Sequence, residues 1–206
     1  MNGAKTNIAV LVSGGGTNLQ ALINAEKKGI IQSGTIRLVV SNNEGAYALT
    51  RAERAGIETA VISKKQCGSQ EEFESKITAL LEERGIGLII LAGFMCILSE
   101  NFTKKYERRI INVHPSLIPA FCGEGFYGLR VHKAALEKGV KVTGATVHFV
   151  NEIPDGGEII AQKAVAIRED DTPETLQKRV MRLAEWKLLP AAAEKISKQM
   201  LNTEEK

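Results

Sequence analysis

The chain has 206 residues, of which 44% are hydrophobic and 25% charged, with a net charge of +3. That composition predicts one packed domain of ordinary size; basic and acidic residues are interleaved, which leaves no nucleic-acid signature but suits small anionic ligands. The longest apolar run, "LIILAGFMCIL" (Leu88 to Leu98), is shorter than the roughly 20 residues a membrane span needs, so no membrane segment is expected.

Strand-like and helix-like segments then alternate along the chain. "NIAVLV" (Asn7 to Val12) is a short apolar run ending at glycines, and "TNLQALINAEKKG" follows with helical spacing of Leu19, Leu22 and Ile23. "IRLVVS" (Ile36 to Ser41) is a second strand and "AYALTRAERAG" a helix. "ETAVIS" (Glu58 to Ser63) is a third strand. "SQEEFESKITALLEERG" is a helix capped by Ser69, with Phe73, Ile77, Leu80 and Leu81 on one face. "GLIILAG" and "RIINV" are the fourth and fifth strands. The strands are nearly continuous apolar runs, as expected of parallel strands covered on both faces. The fold class is therefore α/β, an open doubly wound sheet in a single domain over 1–200.

After Pro119 the pattern changes. "TGATVHFV" (Thr143 to Val150) and "EIIAQKAVAI" (Glu158 to Ile167) flank the turn-rich "NEIPDGG" and read as an antiparallel pair. The last segment, from Asp171, is an amphipathic helix with Thr172 as cap and Pro173 at its first position; Pro190 is expected to kink or interrupt it. Residues 201–206 read as a frayed tail. The N-terminus has no signal-peptide pattern, and the cysteines at 67, 96 and 122 fit neither a disulfide framework nor a CxxC metal site, which suggests a reducing cytoplasm.

Two features carry chemistry. "SGGGTN" (Ser13 to Asn18) joins the first strand to the first helix. Glycines allow close approach of backbone to ligand, and the helix start offers free N–H groups to an anion. Ser13, Thr17 and Asn18 add side-chain donors. A P-loop would end in Gly-Lys-Ser/Thr, which is missing; a dinucleotide loop counted from Gly14 would need glycine where Leu19 stands. A single phosphate fits, and so does a plain tight turn. The second feature is "INVHPS". Asn112 and His114, two residues apart, project to one face at the carboxyl end of a strand, where ligand crevices of such sheets lie. An amide and an imidazole can both stabilise oxygen charge in acyl or formyl transfer, and the imidazole can relay a proton. "IPDGG" offers Asp155 as the carboxylate that would keep the ring protonated. From spacing alone the ring reads as an ordinary loop histidine with a satisfied hydrogen bond, in preference to a catalytic one. His132 and His148 read as structural, and the three histidines share no metal-ligand spacing.

These stretches, with "LAGFMCILS" and "DGGEIIAQ", occur in an order and spacing that resembles the folate-dependent formyltransferases, and among them the phosphoribosylglycinamide formyltransferase family. The resemblance covers nearly the whole chain. It implies the formyltransferase fold, with a Rossmann-like N-terminal half (about 1–110) for the nucleotide phosphate and a folate and catalytic half (about 111–200). It implies formyl transfer from 10-formyltetrahydrofolate, a co-substrate, to the amine of 5'-phosphoribosylglycinamide in purine biosynthesis, without metal. By matched position Asn112 would polarise the formyl oxygen, His114 would be the general acid and Asp155 would hold it protonated. Ser13, Gly14, Gly15, Gly16, Thr17 and Asn18 would surround the phosphate, Glu185 would hold ribose hydroxyls, and Arg182, three residues earlier on the helix, would assist.

On the folate side the resemblance implies Gln70, Met95, Cys96, Ile97, Leu98 and Asn112, with Asn151, Glu152, Ile153, Pro154 and Asp155. From the residues alone Met95, Ile97 and Leu98 read as core. Three departures stand out: relatives often carry arginine at positions 70 and 96, and the loop after Pro119 is longer than their usual Pro-Gly-x-His form. A monomer or homodimer in the cytoplasm, binding small molecules only, is expected. The competing readings are a relative with another acceptor (methionyl-tRNA, a sugar amine, or water in a formyltetrahydrofolate hydrolase), of which the length argues against the tRNA enzyme and the hydrolase, expected to carry additional domains, and a nucleotide-binding module without catalysis.

Overall fold

The computed structural model describes residues 4–204. One seven-stranded sheet runs through it in the order β3-β2-β1-β4-β5-β6-β7. The strands are β1 (Thr6–Val12), β2 (Gly34–Ser41), β3 (Glu58–Val61), β4 (Leu88–Leu91), β5 (Ile110–His114), β6 (Val142–Phe149) and β7 (Ile159–Ala166). β1 to β5 are parallel, β6 is antiparallel to β5, and β7 is antiparallel to β6. The mostly parallel sheet with a C-terminal antiparallel strand is the architecture expected from the apolar runs.

Alternation along β1 shows why those runs are continuous. Ile8, Val10 and Val12 face one core, and Ala9 and Leu11 face another. The first core is closed by α1 (Thr17–Lys27), α2 (Tyr47–Arg54), α6 (Pro173–Val180) and α7 (Trp186–Glu204), through Leu19, Leu22, Ala48, Leu176 and Leu189. The second is closed by α3 (Gln70–Glu83) and α4 (Glu100–Lys105), through Phe73, Ile77, Leu81 and Phe102. Each such leucine, isoleucine or phenylalanine, removed from water, contributes about 2 kcal/mol relative to exposure. The short α4 did not show in the apolar pattern; its start is set by Ser99, whose side chain accepts from the Phe102 N–H.

The C-terminal helix differs from expectation in two ways. Pro190 lies within α7 and does not interrupt it. The irregularity comes earlier, as a π-turn at Met181–Glu185 between α6 and α7. There the Trp186 N–H reaches back five residues, to the Met181 carbonyl. Thr172 and Pro173 do start α6, through a capping box with Thr175. Residues 201–204, expected as tail, continue α7, while 205 and 206 lie outside the described residues. No helix among the described residues is long and apolar enough to cross a membrane.

His132, on α5 (Leu129–Lys138), is fully buried, and neither ring nitrogen has a hydrogen-bond partner. Burial pulls its pKa down to about 4, helped by the nearby charge of His114. Between about pH 6.5 and pH 4 the unfolded chain therefore binds a proton that the folded one refuses. This stabilisation is complete above pH 6.5 and is lost as the pH falls through about 4. Denaturant unfolding of wild type and His132→Leu at pH 7.5 and pH 5 isolates the effect. The wild type should lose about 2 kcal/mol more than the variant on going to pH 5.

Candidate active site

The strand order reverses between β1 and β4, and the carboxyl ends of β1, β4 and β5 meet at one rim. After β1 comes the glycine loop. Gly16 has φ of 70°, and a Cβ there would sit 2.6 Å from the Ala48 Cβ, so this position needs glycine on both counts. No side chain caps α1, which leaves its first N–H groups to a ligand. Open space surrounds the Gly14 and Gly15 Cα positions.

The side chains of this loop are partly engaged. Ser13 Oγ accepts from the Met95 N–H at 2.8 Å, which clasps the loop to the segment after β4. Asn18 Nδ2 donates to Glu185 Oε2 at 2.8 Å. Glu185 is buried, and burial pushes its pKa up to about 7 against that hydrogen bond. The π-turn delivers Glu185 inward and leaves Arg182 exposed, so the two do not share a face as their three-residue spacing suggested. A cation the sequence reading missed stands closer to the loop: Arg51 of α2 donates from Nε to the Gly15 carbonyl at 2.8 Å and stacks on Tyr47. Its helix gives no local motif that would have marked it.

After β5 the polar groups converge. Residues 112 and 148 are directly opposed in the β5–β6 pairing. The His148 Nδ1 lies 2.7 Å from the Phe149 carbonyl. A carbonyl only accepts, so Nδ1 carries the proton and Nε2 is an acceptor. Nε2 takes one Asn112 amide hydrogen at 3.3 Å, which leaves the second amide hydrogen free for a ligand oxygen. His148, read from sequence as structural, thus orients Asn112. The signal was available in principle, since an antiparallel partner strand carrying a histidine can place it beside Asn112, but the register is not written in either strand alone.

Asp155 completes the cluster. Its Oδ2 lies 3.3 Å from His114 Nδ1 and accepts from the Gly123 N–H at 2.9 Å; its Oδ1 lies 3.5 Å from His148 Nε2. Burial raises the Asp155 pKa, but opposing contacts, the His114 ring and the Gly123 N–H among them, outweigh it and hold the carboxyl below its usual range. His114 is 4% exposed, and its Nε2 lies 2.8 Å from the Phe121 carbonyl. Both ring nitrogens thus face acceptors, which only the imidazolium satisfies. Burial acts the other way and pulls the ring below its usual pKa, while Asp155 and the Phe121 carbonyl pull it back up.

Beside this cluster is a narrow cavity of about 110 Å³, walled by Leu91, Ile97 and Leu98 on one side and by Asn151–Asp155 on the other. Leu98 is buried, but Met95 and Ile97 are 55% and 66% exposed, so reading all three as core fails for those two. The Ile97 carbonyl is held by Gln70 Nε2 at 3.1 Å, and Gln70 also bonds the buried Glu74, which anchors the Ser99 N–H. Cys96 Sγ accepts from Asn42 at 3.0 Å. On the opposite wall Ile153 N–H bonds the Asn151 side chain, and Asp155 takes φ of 56°. Gly157 follows because a side chain there would overlap the Phe149 carbonyl. Both compartments draw on both halves of the chain.

A family model described as formyl transferase matches residues 6–193. The phosphoribosylglycinamide formyltransferase of Haemophilus influenzae is 41% identical over 183 residues, covering 89% of this chain and 83% of that protein. The trifunctional purine biosynthetic protein adenosine-3 of Gallus gallus is 52% identical over 193 residues, of which the chain spans 18% of the larger protein's length. Among solved structures, glycinamide ribonucleotide transformylase 1 from Symbiobacterium toebii superposes with a TM-score of 0.88 at 38% identity, covering 95% of this chain and 89% of that one. With the sheet and the glycine loop both inside the matched residues, the chain belongs to the phosphoribosylglycinamide formyltransferase family of formyl transferases.

Proposed function

We propose that the chain transfers a formyl group from 10-formyltetrahydrofolate to the amine of 5'-phosphoribosylglycinamide, a step of purine biosynthesis. The observation that carries this reading is the convergence of Asn112, His114, His148 and Asp155 at the rim that also holds the glycine loop. The glycine loop and the free N–H groups of α1 receive the phosphate, and the Glu185 carboxylate receives the ribose hydroxyls. The donor ring lies between Met95–Leu98 and Asn151–Asp155.

In this reading the amine attacks the formyl carbon and charge grows on the formyl oxygen. The free Asn112 amide hydrogen and the His114 N–H donate to that oxygen, His114 Nε2 having left the Phe121 carbonyl. Asp155 stays ionised, orients His114 and stabilises its cation as charge builds beside it. The proton lost by the amine ends on the leaving nitrogen as the C–N bond to the folate breaks, with His114 as relay. His148 acts through Asn112.

The direct test mixes the protein with both substrates and follows appearance of deformylated folate. Turnover that needs the glycinamide acceptor supports the reading. Turnover without acceptor indicates a hydrolase, and none at all rejects both. Asp155→Asn should lower kcat by about 10²–10⁴ at neutral pH while KM for the phosphorylated substrate moves far less; near-normal turnover would remove Asp155 from the mechanism. Glu185 provides a pH signature. Its carboxylate accepts two hydroxyl hydrogens, so KM for the ribosyl substrate should fall as pH rises through about 7. Glu185→Gln should hold KM high and remove that component of the profile, leaving kcat much less changed.

A further inference from the structure

α1, α2 and α7 enclose a groove that the chemistry above leaves unused. Its volume is about 430 Å³, a size that suits a small molecule. Residues three and four apart on a helix share a face, and Thr17, Gln20, Ala21, Asn24 and Lys28 form one such stripe along α1 and its C-cap. From α7 come Trp186, Lys187 and Pro190, and from α2 comes Arg51. Asn18 and Glu185, assigned above to the acceptor, are not on its walls. The groove thus begins at the edge of the glycine loop and runs away from it, along the outside of α1.

Its walls combine an aromatic face with positive charge. Trp186 is 37% exposed, and Ile30, which also lines the groove, is 53% exposed. A partly open indole offers a flat apolar face to a ring. Lys28, Arg51 and Lys187 line the groove, and no aspartate or glutamate does. Among the described residues none of these three forms an ion pair, although Lys76, Lys104, Lys105 and Lys133 all do. Neutral groups alone hold Arg51: it donates to the Gly15 carbonyl and to Gln20 Oε1, and it lies over the Tyr47 ring. Gln20 Nε2 in turn donates to Asn24 Oδ1 at 3.1 Å, so both ends of the Gln20 amide are engaged while the Asn24 N–H groups are left to a ligand acceptor. Three cations without a counter-ion, beside an open indole, favour an anion that carries a planar aromatic ring.

We propose that this groove is a second ligand site, separate from the acceptor's, for a purine nucleoside monophosphate. The base lies on Trp186 and presents a ring nitrogen to the Asn24 amide, and the phosphate is taken by Lys28 and Lys187. A purine covers more of an indole than a smaller ring does, and its ring nitrogens are the acceptors that a free amide donor can read. The assignment does not rest on formyl transfer.

Trp186 is the single tryptophan of the chain, so its fluorescence reports on the groove directly. The whole protein is titrated at low salt with adenosine 5'-monophosphate, with adenosine and with inorganic phosphate. The nucleotide should quench the emission saturably, adenosine should need about tenfold more, and inorganic phosphate should leave the emission unchanged. Lys28→Gln with Lys187→Gln should weaken nucleotide binding about tenfold, and Lys28→Arg with Lys187→Arg should keep it. Trp186→Ala, followed by calorimetry with its fold checked by circular dichroism, should weaken it about tenfold as well. Saturating 5'-phosphoribosylglycinamide should leave nucleotide binding in place. Absence of saturable quenching, equal affinity for adenosine, unaltered binding in the glutamine variant, or displacement by the acceptor overturns the assignment, and each leaves the proposed transfer reaction standing.

Discussion

The pairing register of β5 and β6 is the constraint on which the site depends. Antiparallel pairing sets Asn112 against His148 and His114 against Thr146. A slip of one residue would turn every β6 side chain to the opposite face, bury the His148 ring in the wrong core and leave the Asn112 amide unoriented. Thr146 helps to hold that register. Its hydroxyl donates to the Ser116 carbonyl and accepts from the Ile118 N–H, so it fastens the turn leaving β5 to the strand beside it. Polar satisfaction and strand register thus reinforce each other, and the reacting groups inherit their positions from both.

The same economy appears around Glu185. A buried carboxylate with a single hydrogen-bond partner is costly, and an uninterrupted α-helix would change the direction in which residue 185 points. The π-turn redirects it toward α1 within one widened turn, in keeping with the frequent placement of such turns at functional sites. The Ser13 bond to Met95 has a comparable role between compartments, because it ties the loop after β1 to the wall after β4.

Much of the architecture was legible because the central strands contain unbroken apolar stretches, such as "IAVLV" and "LIIL", as expected of a sheet covered on both faces. Spacing put Asn112 and His114 on one face and a glycine-rich turn offered Asp155, but spacing alone favoured an ordinary loop histidine; what marked the three as a set was the resemblance to folate-dependent formyltransferases. What was not legible depends on long-range pairing. The role of His148 follows from register, that of Arg51 from the docking of α2 beside the glycine loop, and the exposure of Arg182 from a π-turn that helical periodicity does not encode. Met95 and Ile97 look like core because apolar side chains that line a ligand surface have the same composition as those that fill an interior.

Gly157 has a wider reach than its size suggests. Because the Phe149 backbone occupies the space a side chain would need, the closure between β6 and β7 admits one residue type at that position. Any replacement must wedge the two strands open, and Asp155, two residues upstream, would be carried off its imidazole neighbours with every reacting group still chemically intact. The place of the Asp155 carboxylate is thereby secured sterically, by a residue two positions away whose whole contribution is to lack a side chain.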